Sequence, residues 1–421
     1  MKSRIAKAGL IAAEIAGVAV AAVLGLAAFI AWCAQSGPVD LGWAAPVFKS
    51  AANAAAFDGA VRRIGDISLE KLDDKGGWRL SFVEVRLGKA KSEATASVPL
   101  IAADLYPRDF LSGKAGPRRV VFDGPELRIV RRADRRIKFD FGEASGERTN
   151  VIASLTGGAY FREAFERAEL RRIRINFVDE GSGRTWRGED ASASLARTPG
   201  GYDAALDATF DISGAPASVA FKADYAFDAD LINATLDLKS APVGDLVALF
   251  YDAPPDLFTS LVSGRAGLRI TGDGTVTASA IDLTAGAGTV RLGAAPVAVE
   301  TIGVRAAFDP KENAFDIERA SIVSAIGKGD VSGAAQLFLV EGSRKIDRIA
   351  FDLKGADMVV APPGLFPAPL AVETAAATGD YKIATRALEL ASVTASSDGL
   401  ALSGGFSLAR SAPTASCRTK R

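Results

Sequence analysis

The chain has 421 residues, of which 48% are hydrophobic and 24% are charged, so it is not an intrinsically disordered protein and must bury much apolar surface. Its 50 Lys and Arg residues balance its 50 Asp and Glu residues, and a net charge of zero gives no electrostatic basis for binding nucleic acid. Histidine is absent, which excludes Ser-His-Asp and Cys-His catalysis and zinc sites that need imidazole. We therefore expect a binding or conduit protein and not an enzyme, with no cofactor and no metal.

An uncharged apolar run from Ile15 to Cys33 comes first in the chain. As a helix it would span roughly 28 Å, enough to cross the hydrocarbon core of a membrane. Basic residues precede it at Lys2, Arg4 and Lys7, whereas the flank after it carries none as far as Phe48. The positive-inside rule then predicts a cytoplasmic N-terminus and an exported remainder.

A cleaved signal peptide is the alternative explanation of this run, because the stretch from Ala31 to Ser36 contains small residues. The run is long for a signal peptide, and Trp32 suits the aromatic belt at a membrane interface. We therefore expect residues 1–34 to form a cytoplasmic stub and a retained transmembrane helix.

Helical segments are few after the anchor. Apolar positions after Pro46 fall on one face of a short helix, so residues 35–60 are expected to form a linker and a helix. The apolar spacing also predicts an amphipathic helix over 159–170 and two helical turns over 245–250 and 256–262.

Strands are expected in most of the remaining sequence. Short stretches alternate apolar with polar residues, as in 173–177 (IRINF) and 268–270 (LRI). Clusters of Gly, Asp, Asn and Pro separate these stretches and supply turns, as in 123–125 (DGP). An alternation of period two predicts a sheet with one apolar face and one face in water.

Two arrangements can accommodate such an apolar face. Two sheets can bury each other in a sandwich, or one curved sheet can leave its concave face open to an apolar ligand. Periodicity alone favours the sandwich.

A weak internal repeat lies toward the C-terminus. Residues 315–323 lead to 331–337, and some seventy residues later 388–394 lead to 402–408, in the same order of strand, glycine turn and strand. Repeated strands without helices favour an elongated sheet over a compact α/β enzyme.

Three stretches carry a resemblance to a known family. Residues 171–190 (RRIRINFVDEGSGRTWRGED) contain a strand ending in Val-Asp-Glu, a glycine turn, and a Thr-Trp-Arg that opens the next strand. Residues 110–131 contain a strand that leads into an Asp-Gly-Pro turn, and residues 200–214 resemble the strand pair that follows. In this order, behind a single N-terminal anchor, they resemble the YhdP-type branch of the AsmA-like superfamily.

The resemblance implies a mainly β fold, in which a transmembrane helix is followed by an elongated, curved antiparallel β-groove with a few short helices. Members of the family are anchored in the inner membrane of diderm bacteria and project into the periplasm, where they are thought to conduct phospholipid toward the outer membrane. The expected domains are 1–34 (stub and anchor), 35–60 (linker and helix), 61–410 (groove) and 411–421 (irregular tail).

The resulting hypothesis is a single-pass inner-membrane protein that moves or shields glycerophospholipids along an apolar periplasmic groove. Its expected partners are phospholipid acyl chains, the inner membrane and other envelope proteins. The alternative is a scaffold or assembly factor for outer-membrane proteins, which would accept another chain at an unpaired strand edge. The residues expected to face the groove are Val83, Val85, Leu87, Leu127, Ile129, Ile173, Ile175, Phe177, Leu268 and Ile270.

Overall fold

The fold is known from a computed structural model. It describes residues 33–34, 37–55, 61–72, 76–87, 96–112, 116–132, 137–139, 165–181, 183–212, 214–250, 258–291, 296–340, 346–361, 364, 368–383, 385, 387–397 and 400–408. Strand is the dominant secondary structure, which confirms the prediction of a mainly β fold. The chain divides into two compact units, which we call unit 1 (Met1–Thr198) and unit 2 (Pro199–Arg421).

Unit 1 contains ten strands in its described part. They are β1 (Val39–Asp40), β2 (Val61–Arg63), β3 (Ile67–Lys71), β4 (Trp78–Leu87), β5 (Ala96–Leu105), β6 (Arg119–Asp123), β7 (Glu126–Arg131), β8 (Ile137–Phe139), β9 (Arg167–Asp179) and β10 (Arg184–Thr198). A 3-10 turn (Gly42–Ala44), helix α1 (Ala45–Ala55) and helix α2 (Pro107–Leu111) accompany them.

Unit 2 contains thirteen strands in its described part. They are β11 (Gly201–Ile212), β12 (Ala215–Ala226), β13 (Leu231–Pro242), β14 (Leu261–Thr271), β15 (Val276–Ala285), β16 (Gly288–Val290), β17 (Val297–Asp309), β18 (Ala314–Ser324), β19 (Gly327–Leu339), β20 (Ile346–Val360), β21 (Leu370–Lys382), β22 (Ala387–Ser397) and β23 (Leu400–Leu408). One helix, α3 (Val243–Phe250), follows β13.

The ladder of unit 1 runs through β1, β3, β4, β5, β6, β9 and β10. Strand β2 pairs with β4 beside β3, β7 extends the line of β6 along β9, and β8 pairs with β7. Strand β9 is parallel to β6 and β7, so the sheet departs from the expected antiparallel arrangement. A parallel pairing needs a crossover of a dozen or more residues, and the segment 140–166 before β9 has that length.

A small core joins α1 to the first strands of unit 1. Leu41, Ile67 and Leu80 are buried there, with Ile67 only 1% exposed. The ring of Phe48 on α1 meets Phe82 on β4 edge to face, with centroids 5.4 Å apart. The helix predicted after Pro46 therefore covers one end of the unit 1 sheet.

The ladder of unit 2 follows the chain order. Each strand from β11 to β23 pairs antiparallel with the next, except that the short β16 pairs with β17 beside β15. Asp230 and Asn313 close two of the hairpins in the left-handed backbone region, which these two residue types tolerate better than most. The predicted repeat corresponds to two such hairpins, β18–β19 and β22–β23.

The helix predictions have mixed outcomes. The helix after Pro46 is α1, and the turn predicted over 245–250 lies within α3. The other two predictions are wrong where they can be compared, because residues 167–170 belong to β9 and residues 261–262 to β14. Backbone pairing on both sides of β9 outweighs the helical apolar spacing of the same residues.

The predicted anchor and tail lie outside the described residues, apart from Cys33 and Ala34. No helix within the described ranges has both the length and the apolarity needed to cross a membrane.

Two glycines of β14 offer a test of how closely neighbouring strands of unit 2 approach one another. A Cβ on Gly264, whose φ is +147°, would lie 2.1 Å from the carbonyl oxygen of Asp282, whereas a Cβ on Gly267 would meet nothing closer than 4.0 Å. We expect Gly264→Ala to lower the free energy of unfolding by about 2 kcal/mol or more. Gly267→Ala is the matched control and should change it by less than about 1 kcal/mol.

Chemical denaturation followed by circular dichroism measures both variants. Equal stability of the two would contradict the close backbone contact at Gly264.

Candidate functional site

The sheet of unit 2 has one continuous apolar face. Residues that are directly paired across the ladder point to the same side of a sheet, so the register defines rows of side chains. One row consists entirely of apolar residues and crosses nine strands, from β13 to β22. Its members are Leu236, Ala266, Ile281, Ala306, Ile317, Gly333, Leu353, Ala377 and Val393.

The neighbouring row, on the opposite face, is charged. Asp237, Arg265, Asp282, Arg305 and Arg319 are paired in succession from β13 to β18. Ion pairs link Arg265 to Asp237 and Arg305 to Asp282, each at 2.6 Å. The hydrogen bond from Arg265 holds the pKa of the Asp237 carboxyl below its ordinary value. This face is therefore the one in water.

No second layer packs on the apolar face in the part of unit 2 that the structure describes. Each strand there contacts chiefly its neighbours in the ladder, and the main contact of α3 is with β13. Leu268 is 37% exposed and Ile322 is 41% exposed, values that a sandwich core would not allow. The sandwich favoured by periodicity is therefore wrong for this unit, and the apolar face is open.

Side chains on the open face are shielded by their neighbours in the ladder. Ala334 and Ala335 are adjacent on β19 and point to opposite sides of the sheet, yet Ala334, on the charged side, is exposed and Ala335, on the apolar side, is half-buried. Their neighbours in the ladder explain the difference, because Ala335 lies between Phe315 and Phe351 whereas Ala334 lies between Asp316 and Asp352. Bulges between paired strands, as near Glu318 on β18, are a usual source of curvature in a sheet.

A cavity of about 700 Å³ lies among β18, β19 and β20, and it does not coincide with the apolar row. Its lining combines apolar and charged side chains and has as many acidic as basic ones, among them Arg319 and Asp330, which form an ion pair at 2.8 Å. Equal numbers of acidic and basic side chains do not select an ion of either sign. We therefore place the candidate site on the apolar face.

Unit 1 has its own apolar rows. Leu127 and Ile129 on β7 are paired with Ile175 and Phe177 on β9, so four of the predicted site residues lie together on one face. The ring of Phe177 packs on Trp186 of β10, with centroids 5.0 Å apart. The period-two pattern of β9 located this cluster.

The remaining predicted residues of β9 and β14 lie on apolar rows of their own units. Ile173 is 1% exposed in unit 1 and is paired with Ala191 of β10. Leu268 and Ile270 in unit 2 are paired with Ala234 and Ile232 of β13, on the face that carries the apolar row.

The three predicted residues of β4 do not share one face. Val85 is 4% exposed, whereas Val83 is 36% exposed, and Leu87 ends the strand opposite Ala96. Between the first two, Glu84 has a φ of +51°, which breaks the strict alternation of a strand. Phe82 packs on α1. Adjacent residues of a strand point to opposite sides of the sheet, so Val83 points away from α1.

The break at Glu84 belongs to a line that crosses unit 1. Glu84, Gly124, Arg172 and Asp190 all have φ between +50° and +70°, on β4, after β6, on β9 and on β10. The register places these positions side by side, and Pro99 of β5 fills the gap, since a Cβ on Gly124 would lie 3.1 Å from its ring. Along this line the regular alternation of the strands is interrupted.

Unit 1 contains buried ion pairs, which the sequence analysis did not find. Their acidic members are at most 9% exposed in the side chain, and their N–O distances run from 2.6 to 3.1 Å. The hydrogen bond to Asp104 raises the pKa of the Arg79 guanidinium. The pairs are Arg79–Asp104, Arg118–Asp109 and Arg131–Asp179.

Glu169 on β9 is the most heavily paired of these carboxylates. Arg119 and Arg171 donate hydrogen bonds to it and Arg167 lies 3.0 Å away. Burial alone would raise the pKa of the Glu169 carboxyl, but the hydrogen bonds from Arg119 and Arg171 hold it below its ordinary value. The ion-pair group joins β6 to β9 and is structural.

Comparison of the chain with protein-family models, curated proteins and solved structures gives no match.

The lowered pKa of the Glu169 carboxyl predicts that the stability of the fold depends on pH. Because the folded value is lowered, the carboxylate stabilises the fold above its unfolded pKa of about 4.3, and this contribution is lost as the pH falls below that value. We expect Glu169→Gln to lower stability at pH 7 by about 1–3 kcal/mol and to remove part of the loss seen on acidification. The exposed Glu180→Gln is the control.

Urea unfolding at pH 7 and pH 3 measures this effect. A Glu169→Gln variant that loses as much stability between the two pH values as the wild type would contradict it.

Proposed function

We propose that the apolar face of unit 2 forms the inner side of a groove that binds glycerophospholipids by their acyl chains, and that the protein moves or shields them between the two membranes of the cell envelope. The observation that supports this most is the uncovered apolar row, which needs an apolar occupant. Leaving a continuous apolar face in contact with water is costly, so soluble proteins seldom expose one without a ligand or partner.

The energetics favour lipid as the occupant. A two-chain phospholipid exposes about 30 methylenes in water, at a cost on the order of 25 kcal/mol, with ~0.8 kcal/mol for each methylene. An apolar face that covers most of these groups removes most of the cost. The headgroup would stay at the open side of the sheet, in contact with water.

No chemical step is needed for this activity. Transfer along such a face exchanges one set of apolar contacts for the next, so the barrier between neighbouring positions is small. The proposal therefore agrees with a chain that has no histidine and with a candidate site that consists of aliphatic side chains.

The cellular setting is part of the same proposal. The resemblance to the AsmA-like superfamily and the basic residues before the apolar run favour a single-pass protein of the inner membrane, with the strands in the periplasm. Acyl chains would then enter from the membrane in which the protein is anchored.

The second candidate function is a scaffold for outer-membrane proteins. It is favoured by strand β23, whose outer edge pairs with no other described strand and could accept a strand from a client. A scaffold would retain protein clients and not lipid, so the two functions differ in what is found bound to the purified protein.

Adjacent residues of β15 give the sharpest test of lipid binding. Leu283 points to the apolar face and Thr284 to the charged face. A carboxylate among acyl chains is strongly unfavourable, so we expect Leu283→Glu to reduce co-purified phospholipid at least tenfold and to slow lipid transfer between vesicles. Thr284→Glu, which adds the same charge on the other side, should leave both unchanged.

Native mass spectrometry counts the bound lipid, and circular dichroism checks that both variants fold. Lipid-free wild-type protein, or equal lipid on the two variants, would refute the proposal.

A further inference from the structure

The segment that begins helix α1 exposes two large apolar side chains. Trp43, in the 3-10 turn before the helix, is 65% exposed, and Val47, in the first turn of the helix, is 67% exposed. The next most exposed large apolar residue that the structure describes in unit 1 is Val83, at 36%. Single exposed apolar residues are common on soluble proteins, but neighbouring large ones form a patch that indicates a binding surface.

Trp43 and Val47 lie on one side of the helix. The 3-10 turn continues directly into α1, since Ala45 has helical backbone angles. Side chains four residues apart are neighbours on a helical surface, and Pro46, which is also exposed, adjoins both. We call Trp43, Pro46 and Val47 the α1 patch.

A different side of the same segment is also apolar and already has a partner. Ala44 is buried, and Phe48 packs on Phe82 of β4. A helix that is apolar on two sides needs two apolar surroundings, and the sheet supplies only one of them. The α1 patch is the side that the described part of unit 1 leaves uncovered.

The short connection to the apolar run brings the α1 patch near any membrane that the run crosses. The run ends at Cys33 and strand β1 begins at Val39, so five residues separate them. An extended chain spans at most about 3.6 Å per residue, which keeps Val39 within roughly 22 Å of the end of the run. A run that crosses a bilayer therefore holds the first strands of unit 1 at the bilayer surface.

The distribution of charge also fits an anionic membrane surface. Residues 34–198 contain 28 Lys and Arg and 23 Asp and Glu, a net charge of +5. Residues Pro199–Arg421 contain 19 Lys and Arg and 26 Asp and Glu, a net charge of −7. Anionic phospholipids give a bilayer a negative surface potential, which attracts the first of these parts and repels the second.

Tryptophan is the residue type best suited to such a surface. Its ring is apolar and its indole N–H can donate a hydrogen bond, so it is enriched at the level of the lipid headgroups. A helix whose exposed side carries a tryptophan and an aliphatic residue one turn apart can insert both only when it lies along the bilayer surface.

We propose that the α1 patch inserts into the headgroup region of a bilayer that contains anionic phospholipid, the same bilayer in which the apolar run is anchored. The inference rests on the membrane setting of the proposed function and adds a second attachment to the anchor. Because Phe48 packs on β4, insertion of the patch holds the first strands of unit 1 against the membrane from which acyl chains would enter.

Spin labels on two sides of α1 test the insertion. In a Cys33→Ser, Cys417→Ser background, a nitroxide is attached through Val47→Cys or through Lys49→Cys. The full-length protein is reconstituted into nanodiscs of phosphatidylethanolamine and phosphatidylglycerol. Both residues are exposed, but positions two apart on a helix point about 200° apart, so Lys49→Cys is the matched control.

Power-saturation electron paramagnetic resonance compares the collisions of each label with O₂, which concentrates in lipid, and with a water-soluble nickel chelate. We expect the ratio of the O₂ rate to the nickel rate to be at least threefold higher at residue 47 than at residue 49. Replacing phosphatidylglycerol by phosphatidylcholine should lower the ratio at residue 47.

A charge in the α1 patch gives the second test. Trp43→Glu should lower the ratio at residue 47 to that at residue 49, because a carboxylate in an apolar environment is strongly unfavourable. Trp43 is 65% exposed, so this variant should keep the fold. Equal melting temperatures of the variant and its parent check this.

Equal ratios at residues 47 and 49 would overturn the proposal, and so would a ratio that Trp43→Glu or the loss of phosphatidylglycerol leaves unchanged. A label at residue 47 that collides with neither reagent would overturn it too, since protein would then cover the patch. A chain that does not enter nanodiscs would remove the anchor on which the proposal rests.

The lipid bound to unit 2 is measured separately, by native mass spectrometry. A label in lipid at residue 47 on a protein without co-purified phospholipid would reject lipid transfer and leave the membrane attachment standing. Co-purified phospholipid together with equal ratios at residues 47 and 49 would reject the attachment and leave lipid transfer standing.

Discussion

A single layer of strands has no partner for either of its faces, and this constraint governs unit 2. The sequence makes one face charged and the other apolar, so water can satisfy only the first. Packing among neighbouring side chains reduces the problem, because Ala335, which lies between Phe315 and Phe351, is less exposed than Ala334. It does not remove the problem, since Leu268 and Ile322 keep more than a third of their surface exposed. What covers the apolar face is therefore the central question about this protein.

The two faces of the sheet contribute to stability in different ways. On the charged face, ion pairs such as Arg265–Asp237 link neighbouring strands and help fix the register. Register matters because a slip of one residue would turn every apolar side chain toward water. In unit 1 the corresponding pairs are more buried, and Glu169 binds the strands β6 and β9 that run parallel. In unit 2 the ion pairs thus lie on the side of the sheet opposite the apolar row.

The alternation of apolar and polar residues explains why much of the strand structure could be predicted from the sequence. The alternation places Ile173, Ile175 and Phe177 on one apolar row, and Leu268 and Ile270 lie on the face of β14 that carries the apolar row of unit 2. The alternation is no guide where backbone geometry interrupts it. Val83 and Val85 point to different sides because Glu84 between them adopts a left-handed backbone, which the residue type does not reveal. The helix predicted over residues 167–170 is wrong because their apolar spacing fits both periods, and only pairing with β6 and β10 decides for a strand.

The openness of the apolar face could not be predicted at all, since sandwich cores and open grooves share one alternating pattern. The most direct test asks what touches that face in cells. A photo-crosslinking amino acid at Ile281, on the apolar row, should yield adducts with the mass of a phospholipid, whereas the same group at Ala280, on the charged side, should not. Protein adducts at Ile281, or no adduct at either position, would contradict the account.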